Sequence, residues 1–259
     1  SIDTALPVLE DLVSSLLKSG IEGAIVGETG RYLETVSSLE ILVKEVEGEE
    51  PVGTMERSGI FPSSGLNAGW DETNRFFSFE TSFGVPLRVF FAKGKIFGIR
   101  SVSLTGPRSF LDALSARARD RGLALSVGGL VKGDLVLDTP TENDVFTALE
   151  TSFLPPEVRH RDDFVRASFS GEGAEVIDRL VSTEDILGDL HVHTTWSDGV
   201  GSIEQMIAAA RALGYRYIAI TDHATEISMI RGLNPERLSA QLREIEDMRA
   251  KYRQALPGG

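Results

Sequence analysis

Three of the chain's four histidines lie near one another in sequence, and a carboxylate lies among them. They are His191, His193 and His223, with Asp198 between them. Neutral imidazoles and a carboxylate suit zinc or manganese, and a bound divalent ion can activate water near neutral pH. These residue types therefore predict a metal site with hydrolytic chemistry. The alternative is that each histidine satisfies only a local hydrogen bond.

Two predicted strands explain how these side chains would meet. A strand over residues 189–194 alternates apolar residues with His191 and His193, which places both imidazoles on one face. Tyr217–Ile220 is short and apolar, as expected for a buried parallel strand, and it leads directly to His223. Because the strands of a β-α-β unit are parallel, their carboxyl ends emerge at the same edge of the sheet. The four side chains are therefore expected to converge.

A helix is predicted between the two strands. The polar run 195–199 is typical of a loop, and Ser202 with Gln205 has the spacing of a capping box at the start of a helix. Gly214 is the expected C-terminal stop. The residues between them place apolar side chains at helical spacing. The order strand, helix, strand is thus predicted from local signals alone.

The sequences HVHTTWSDG at 191–199 and TDH at 221–223 resemble the first two motifs of the PHP superfamily. Members of this family are metal-dependent phosphoesterases built on a distorted βα barrel. The resemblance implies that His191 and His193 bind one metal ion, and that Asp198 and His223 bind another. It also implies that two further carboxylates, Asp189 and Asp222, orient these ligands.

The resemblance also implies ligands that this chain does not contain. Later glutamate, histidine and aspartate positions of the family would follow Gly259, so we expect the chain to stop inside its second domain. The first residue is Ser1 rather than methionine, so the N-terminus is also expected to be shortened or processed.

The composition of the chain excludes several classes of protein. The chain has 259 residues, 41% of them hydrophobic, which is enough for one large or two modest domains. No run approaches the roughly 20 apolar residues of a membrane span, and we expect no membrane partner. A net charge of −13 argues against a broadly basic nucleic-acid surface. Without cysteine the chain has no disulfides, which is typical of a cytoplasmic protein.

The first part of the chain has the pattern of an α+β domain. An amphipathic helix is predicted over 5–18, followed by strands over 21–26 and 39–44. Residues 4–43 resemble the start of the palm of family X DNA polymerases. In that pattern a loop rich in glycine, serine and arginine leads to a strand, and Gly27 and Arg31 match the loop. The segment 84–89 resembles the next palm strand, and Thr105 with Gly106 resembles the turn beside the nucleotide sugar.

The catalytic positions of the palm pattern are altered. Ser38 and Glu40 stand where the resemblance expects two aspartates, and Pro86 stands where it expects a third. Two-metal nucleotidyl transfer needs several oxygen ligands to hold ions roughly 4 Å apart. Glu40 alone does not supply them, so polymerisation is predicted to be lost. Glu40 and Arg88 are interpreted as a solvated ion pair on an edge strand.

The next segment resembles the thumb of bacterial family X polymerases. We predict a helix over 110–121, a hairpin with strands over 125–131 and 135–137, and a short helix capped by Thr141. Residues 157–187 are rich in charged and small residues and are predicted to be a linker, with His160 solvated. Near the C-terminus, Asn234 and Pro235 open a long helix. Its predicted buried face comprises Leu238, Leu242, Ile245 and Met248.

The expected architecture has three parts. Residues 1–156 form an α+β, nucleotidyltransferase-like palm and thumb. Residues 157–187 form the linker. Residues 188–259 form the first part of an α/β, PHP-type distorted βα barrel.

Three functions remain open at this level. The first is a metal-dependent phosphoesterase, such as a 3′-5′ exonuclease, acting on DNA with manganese or zinc, or with magnesium as an alternative. The second is an active polymerase in which Glu80 or Asp71 completes the palm site. The third is a protein that binds DNA or a partner and hydrolyses nothing.

Overall fold

The computed structural model describes residues 1–59, 70–82, 84–126, 128–171, 180–224 and 231–253. The chain divides into two compact units, residues 1–179 and 180–259. Among the described residues, no helix is long and apolar enough to cross a membrane.

Unit 1 begins with a five-stranded mixed sheet in the order β1-β2-β5-β4-β3. The central strands β2 and β5 are parallel, and their other neighbours are antiparallel. Three helices accompany the sheet. The bounds are α1 Ile2–Lys18, β1 Gly23–Ile25, α2 Gly27–Gly30, β2 Leu39–Lys44, α3 Pro51–Ser58, β3 Trp70–Asp71, β4 Phe76–Phe79 and β5 Leu87–Ala92.

Strand β2 is buried on both faces because it lies in the middle of the sheet. Ile41 and Val43 pack with α1 and α3 in one core, whereas Leu42 packs on the opposite face with Phe90 and Phe97. This alternation follows from the two-residue period of a strand. The predicted helix over 5–18 and strand over 39–44 are confirmed, although the helix begins earlier, at Ile2.

The second part of unit 1 is mostly helical and carries a small antiparallel sheet in the order β6-β7-β8. Its elements are α4 Phe97–Thr105, α5 Arg108–Asp120, β6 Ala124–Ser126, β7 Gly129–Lys132, β8 Leu135–Val136, α6 Glu142–Ala148 and α7 Asp162–Ser170. The strand predicted over 125–131 is divided into β6 and β7, which pair with each other in antiparallel fashion from Ser126 and Gly129 onward. Thr141 caps α6 in a capping box with Asp144, as expected of its position before the helix.

The predicted linker over 157–187 is wrong in its first half. Helix α7 contributes Val165 to the same core as α5 and α6, and Arg159 is completely buried. The charged sequence suggested solvent exposure, but Arg159 pairs with Glu142 and donates to Thr105 Oγ1 at 2.8 Å. Paired in this way, a guanidinium can be buried. His160 is exposed, as predicted.

Unit 2 contains the predicted β-α-β unit. Strands β9 (Gly188–Val192) and β10 (Tyr217–Ile220) are parallel neighbours, joined by α8 (Ile203–Ala212), and helix α9 spans Pro235–Arg253. Ser202 and Gln205 form the predicted capping box of α8.

Two predictions of burial in unit 2 are wrong. Strand β10 was expected to be buried, but Tyr217 is exposed and the residues after it are half-buried. Leu238 and Leu242 were expected to face the core, but both are exposed, whereas Gln241 between them is buried. The apolar spacing identified a helix correctly, and the polar contacts described below decide which face of it turns inward.

Candidate metal centre

The predicted ligands of unit 2 converge where β9 and β10 end. His193 Nδ1 lies 2.8 Å from Asp198 Oδ1, and His223 Nε2 lies 3.5 Å from Asp198 Oδ2. His191 Nε2 faces His193 Nε2 at 3.0 Å. One ligand atom from each of His193, Asp198 and His223 lies within 4.8 Å of the others. The parallel register of the two strands thus brings together side chains from two distant motifs.

The donor set has the chemistry of a cation site. The Asp198 carboxylate accepts a hydrogen bond from His193 Nδ1, and in the neutral ring this leaves a lone pair on Nε2 for a metal ion. Two nitrogens bound to one tetrahedral zinc ion at about 2.1 Å lie about 3.4 Å apart. The observed separation of 3.0 Å between His191 and His193 is close to that value. His193, Asp198 and His223 therefore fit a divalent ion, and His191 lies close enough to His193 to share one with it.

The electrostatics of Asp198 favour its charged form. The hydrogen bond from His193 lowers the pKa of Asp198 below its ordinary value, and a hydrogen bond from the Ser197 hydroxyl adds to this effect. The carboxylate is therefore ionised at neutral pH, which is the form that binds metals.

Asp222 supports the loop that carries Asp198. Its carboxylate accepts hydrogen bonds from the backbone N–H of Thr194 at 2.7 Å and from the hydroxyls of Thr194 and Ser197. Burial raises the pKa of Asp222, but these hydrogen bonds and one from Gln241 outweigh it, so that the pKa lies below its ordinary value. In the described part of the chain, Asp222 makes no hydrogen bond or ion pair with an imidazole. It orients the site through the loop.

The other predicted orienting carboxylate acts on the backbone. Asp189 Oδ1 accepts a hydrogen bond from the backbone N–H of His191 at 2.9 Å. The Asp189 carboxylate thus stabilises the backbone of β9 at His191, which carries the first imidazole of the site.

The loop after β9 is tightly closed. Thr194 O accepts hydrogen bonds from the backbone N–H groups of Ser197 and Gly199, each at 3.0 Å. A Cβ atom at Gly199 would collide with the backbone of His193 and Thr194. Glycine is therefore required there by the close approach of the two backbone segments, and the approach positions Asp198 beside His193.

Helix α9 contributes three polar residues that the sequence analysis did not identify. Gln241 donates to Asp222 at 2.6 Å, and Glu244 accepts from the Trp196 indole at 2.8 Å. Arg237 donates to the Trp196 carbonyl and lies over its ring. These positions are four and three residues apart, so they share one helical face. This spacing could have identified the polar face of α9 from the sequence. The sequence analysis instead predicted that the apolar residues of α9 face the core.

In unit 1, the altered palm positions also come together, but as an ion pair. Glu40 lies opposite Arg88 in the parallel register, with Arg88 Nη1 3.0 Å from Glu40 Oε1, and Ser38 donates to the same oxygen at 2.7 Å. The predicted pair is present, but its predicted place on an edge strand is wrong, since β2 and β5 are central. The Glu40 side chain is only 13% exposed.

Gly27 and Pro86 lie beside this ion pair. A side chain at Gly27 would collide with the Glu40 carboxylate, so the glycine allows Glu40 its position. The carbonyl of Pro86 accepts the Leu39 N–H at 2.8 Å, and its ring supplies no ligand. Asp71 accepts hydrogen bonds from Asn74 in its own turn. Among the described residues, a cluster of three or more metal-binding side chains is found in unit 2 and not at Glu40.

The remaining palm residues form a buried network around Thr105. Arg31 Nη1 donates to the Thr105 carbonyl at 2.7 Å, and Arg159 donates to its hydroxyl. Burial lowers the pKa of Arg31 despite nearby Glu28 and Glu40. A side chain at Gly106 would collide with Phe110 and Leu111. Arg31 therefore links the palm-like sheet to the helical part of unit 1.

Two family models match parts of the chain. Residues 189–254 match the PHP domain, and residues 101–160 match the DNA polymerase beta thumb. The first match covers the whole histidine and aspartate cluster, and the second covers α5, the small sheet and α6. In these two segments the chain is similar to family X DNA polymerases that carry a PHP domain.

The chain is also similar to a bacterial protein. The chain is 29% identical to the "DNA polymerase/3'-5' exonuclease PolX" of Bacillus subtilis (strain 168) over 233 residues. The aligned part is 87% of this chain and 38% of the Bacillus protein. The chain therefore spans well under half the length of this relative.

Proposed function

We propose that unit 2 provides part of a metal-dependent phosphoesterase site that hydrolyses DNA phosphodiesters from a 3′ end. The observation that carries this proposal is the convergence of His191, His193, Asp198 and His223 at the ends of two parallel strands. The PHP match over these residues supports the same chemistry, as does the similarity to the Bacillus protein, which is named as a polymerase and 3′-5′ exonuclease.

His191 and His193 are proposed to hold one divalent ion, and Asp198 with His223 a second. Manganese and zinc are the proposed metals, because imidazole with carboxylate suits both. Bound there, the metal would supply Lewis acidity that activates water and neutralises charge on the phosphate. The chain's own residues hold the geometry: Asp198 fixes the ring of His193, and Asp222 fixes the loop that carries Asp198.

Unit 1 is proposed to keep a palm-like fold without nucleotidyl transfer. Glu40 is the one acidic residue among the three altered positions, and Arg88 already neutralises its charge. A site that binds two cations needs converging carboxylates rather than an ion pair. Unit 1 would then serve as a scaffold or as a docking surface for DNA.

The experiment measures metal binding and hydrolysis together. Titration of the chain with Mn²⁺ or Zn²⁺ by calorimetry should show binding, and His193→Ala should abolish it because His193 contacts both neighbouring ligands. The matched control is His160→Ala, since His160 is the exposed histidine of unit 1 and should bind no metal. Hydrolysis of a 3′-labelled oligonucleotide with added metal gives the second readout.

The two readouts separate the competing functions. Metal binding with hydrolysis that His193→Ala removes supports the phosphoesterase. Metal binding without hydrolysis supports the third function, a protein that binds and does not cleave. A chain that binds no divalent ion, or a His193→Ala variant that binds as well as the parent, contradicts the proposed metal site.

A further inference from the structure

Arg237, on helix α9, binds backbone carbonyls from two separate segments of unit 2. Its Nη1 atom donates to the carbonyls of Arg231 at 2.6 Å and Gly232 at 3.0 Å, and its Nη2 atom donates to the carbonyl of Trp196. Within the described parts of unit 2, this guanidinium forms no ion pair with a carboxylate. A cation that could pair with an acid instead holds groups of the main chain.

The first of the two segments is the loop that presents Asp198. The Arg237 guanidinium also lies over the Trp196 ring, 5.8 Å from its centroid, and Glu244 of the same helix accepts the indole N–H at 2.8 Å. The carbonyl, the ring face and the indole N–H of one loop residue are thus all held by α9. Asp198 follows Trp196 two residues later, so the contacts to α9 also restrain this ligand.

The second segment leads back to His223. Leu233, which is 4% exposed, donates its backbone N–H to the His223 carbonyl at 2.7 Å. Two carbonyls that Arg237 binds directly precede Leu233 in sequence. Arg231 has a φ of +49°, a left-handed conformation that is unfavourable for a residue other than glycine and persists only where surrounding groups hold it. The guanidinium is one such group.

Arginine is suited to joining two segments in this way. Its planar guanidinium presents five N–H donors in fixed directions, whereas a lysine ammonium is a compact charge on a flexible stem. Nη1 of Arg237 is bonded to one segment and Nη2 to the other. One rigid group therefore fixes the distance between the segments that lead to Asp198 and His223.

We propose that Arg237 is a positioning residue that sets the separation of Asp198 and His223, which lie 3.5 Å apart. This inference rests on the proposed function, in which these two side chains hold the second metal ion. In the described structure, Arg237 makes no hydrogen bond to either ligand side chain, so it acts through the main chain. Its loss should therefore weaken the second ion and spare the ion held by His191 and His193, which lie outside both segments.

The first test needs no metal. In EDTA, amide hydrogen exchange followed by NMR should be about tenfold faster in Arg237→Ala than in the parent at Gly199 and Leu233, the scale of one hydrogen bond from a charged donor. Arg237→Lys should give intermediate rates, because lysine keeps the charge without the planar fork. The Leu213 N–H, which binds the Ala209 carbonyl at the end of α8, should exchange at the parental rate.

The second test is calorimetric titration with Mn²⁺. Arg237→Ala should weaken by about tenfold the binding event that His223→Ala removes, which is the scale of losing an outer partner of a metal site. The event that His191→Ala removes should keep its parental affinity. The matched control is Arg243→Ala, which removes an exposed arginine of the same helix and should behave as the parent does in both tests.

The outcomes separate this inference from the proposed function. A parent that binds no divalent ion contradicts the proposed function, and the exchange rates at Gly199 and Leu233 still decide whether Arg237 holds the two segments. Parental exchange rates in Arg237→Ala overturn the positioning role even if the parent binds metal. Equal weakening of both binding events, or equally faster exchange at Leu213, also overturns it, because either result indicates a general loss of folding.

Discussion

Gln241 is 4% exposed although it lies on a helix whose neighbouring leucines are exposed. Its amide donates to Asp222 at 2.6 Å, and Asp222 accepts from Thr194 and Ser197 in the loop that presents Asp198. Thr194 is fully buried and Ser197 nearly so. One amide therefore helps to fix the loop, and with it the position of a proposed metal ligand.

At this scale we predict that Gln241→Leu weakens the binding of Mn²⁺ or Zn²⁺ about tenfold. The leucine fills a similar volume but donates no hydrogen bond, and loss of an outer partner typically costs 10- to 100-fold in metal affinity. Calorimetric titration measures the change. Leu242→Ala, at the exposed neighbouring position, is the control and should bind as the parent does. Equal affinities for parent and Gln241→Leu would show that the loop holds without the Gln241 hydrogen bond.

The two central strands of unit 1 decide which side chains lie together at the positions that resemble a polymerase palm. Their parallel register places Glu40 opposite Arg88, and Leu39 N–H binds the carbonyl of Pro86. At the three positions where the sequence resemblance expected aspartates, the strands carry the Ser38 hydroxyl, the ion pair of Glu40 with Arg88, and the Pro86 ring. These side chains lack the charge to hold two cations.

We therefore predict no primer extension by this chain with either Mg²⁺ or Mn²⁺. The reason is that Ser38 and Pro86 supply no carboxylate, and Arg88 neutralises the remaining one. A gel assay with a primed template and all four nucleotides measures extension, and a family X polymerase of known activity serves as the positive control. Extension that Glu40→Ala removes would establish an active palm instead.

The whole molecule consists of two compact units with separate sources of stability. Unit 1 has apolar cores on both faces of its sheet and among its helices, and it buries the Arg159 and Glu142 pair. In unit 2, Ile203 and Leu233 are buried, while Leu190, Leu213 and Tyr217 are exposed. A bound ion would add to the stability of the folded form of unit 2 by mass action.

Two thermal transitions are expected in scanning calorimetry. Saturating Mn²⁺ or Zn²⁺ at 100 times the Kd should stabilise unit 2 by about 2.7 kcal/mol and raise one transition only. Arg159→Met should lower the other, because removing one partner of a buried pair costs about 3–5 kcal/mol. His193→Ala should abolish the metal-induced shift. A single transition that both metal and Arg159→Met displace would show that the units unfold together.

Local signals in the sequence predicted much of unit 2. Each signal depends on residues close together in sequence. The capping box at Ser202 and the stop at Gly214 are confirmed. The strand predicted over 189–194 is present over Gly188–Val192, so it contains His191 but ends just before His193. The right order of parallel strands then follows from general rules of chain connection. The convergence of the four candidate ligands was therefore predictable, and their role in metal binding stays a prediction.

The tertiary structure alone decided which polar residues are buried. Arg159 lies in the predicted linker, yet it is buried because its charge is paired with that of Glu142. Gln241 lies outside the predicted apolar face of its helix, yet it is buried because its amide donates to Asp222. The central place of Glu40 and Arg88 likewise depends on strand order. Periodicity and caps are properties of neighbouring residues, so the sequence determined the elements, whereas pairings between distant segments exist only once the chain has packed.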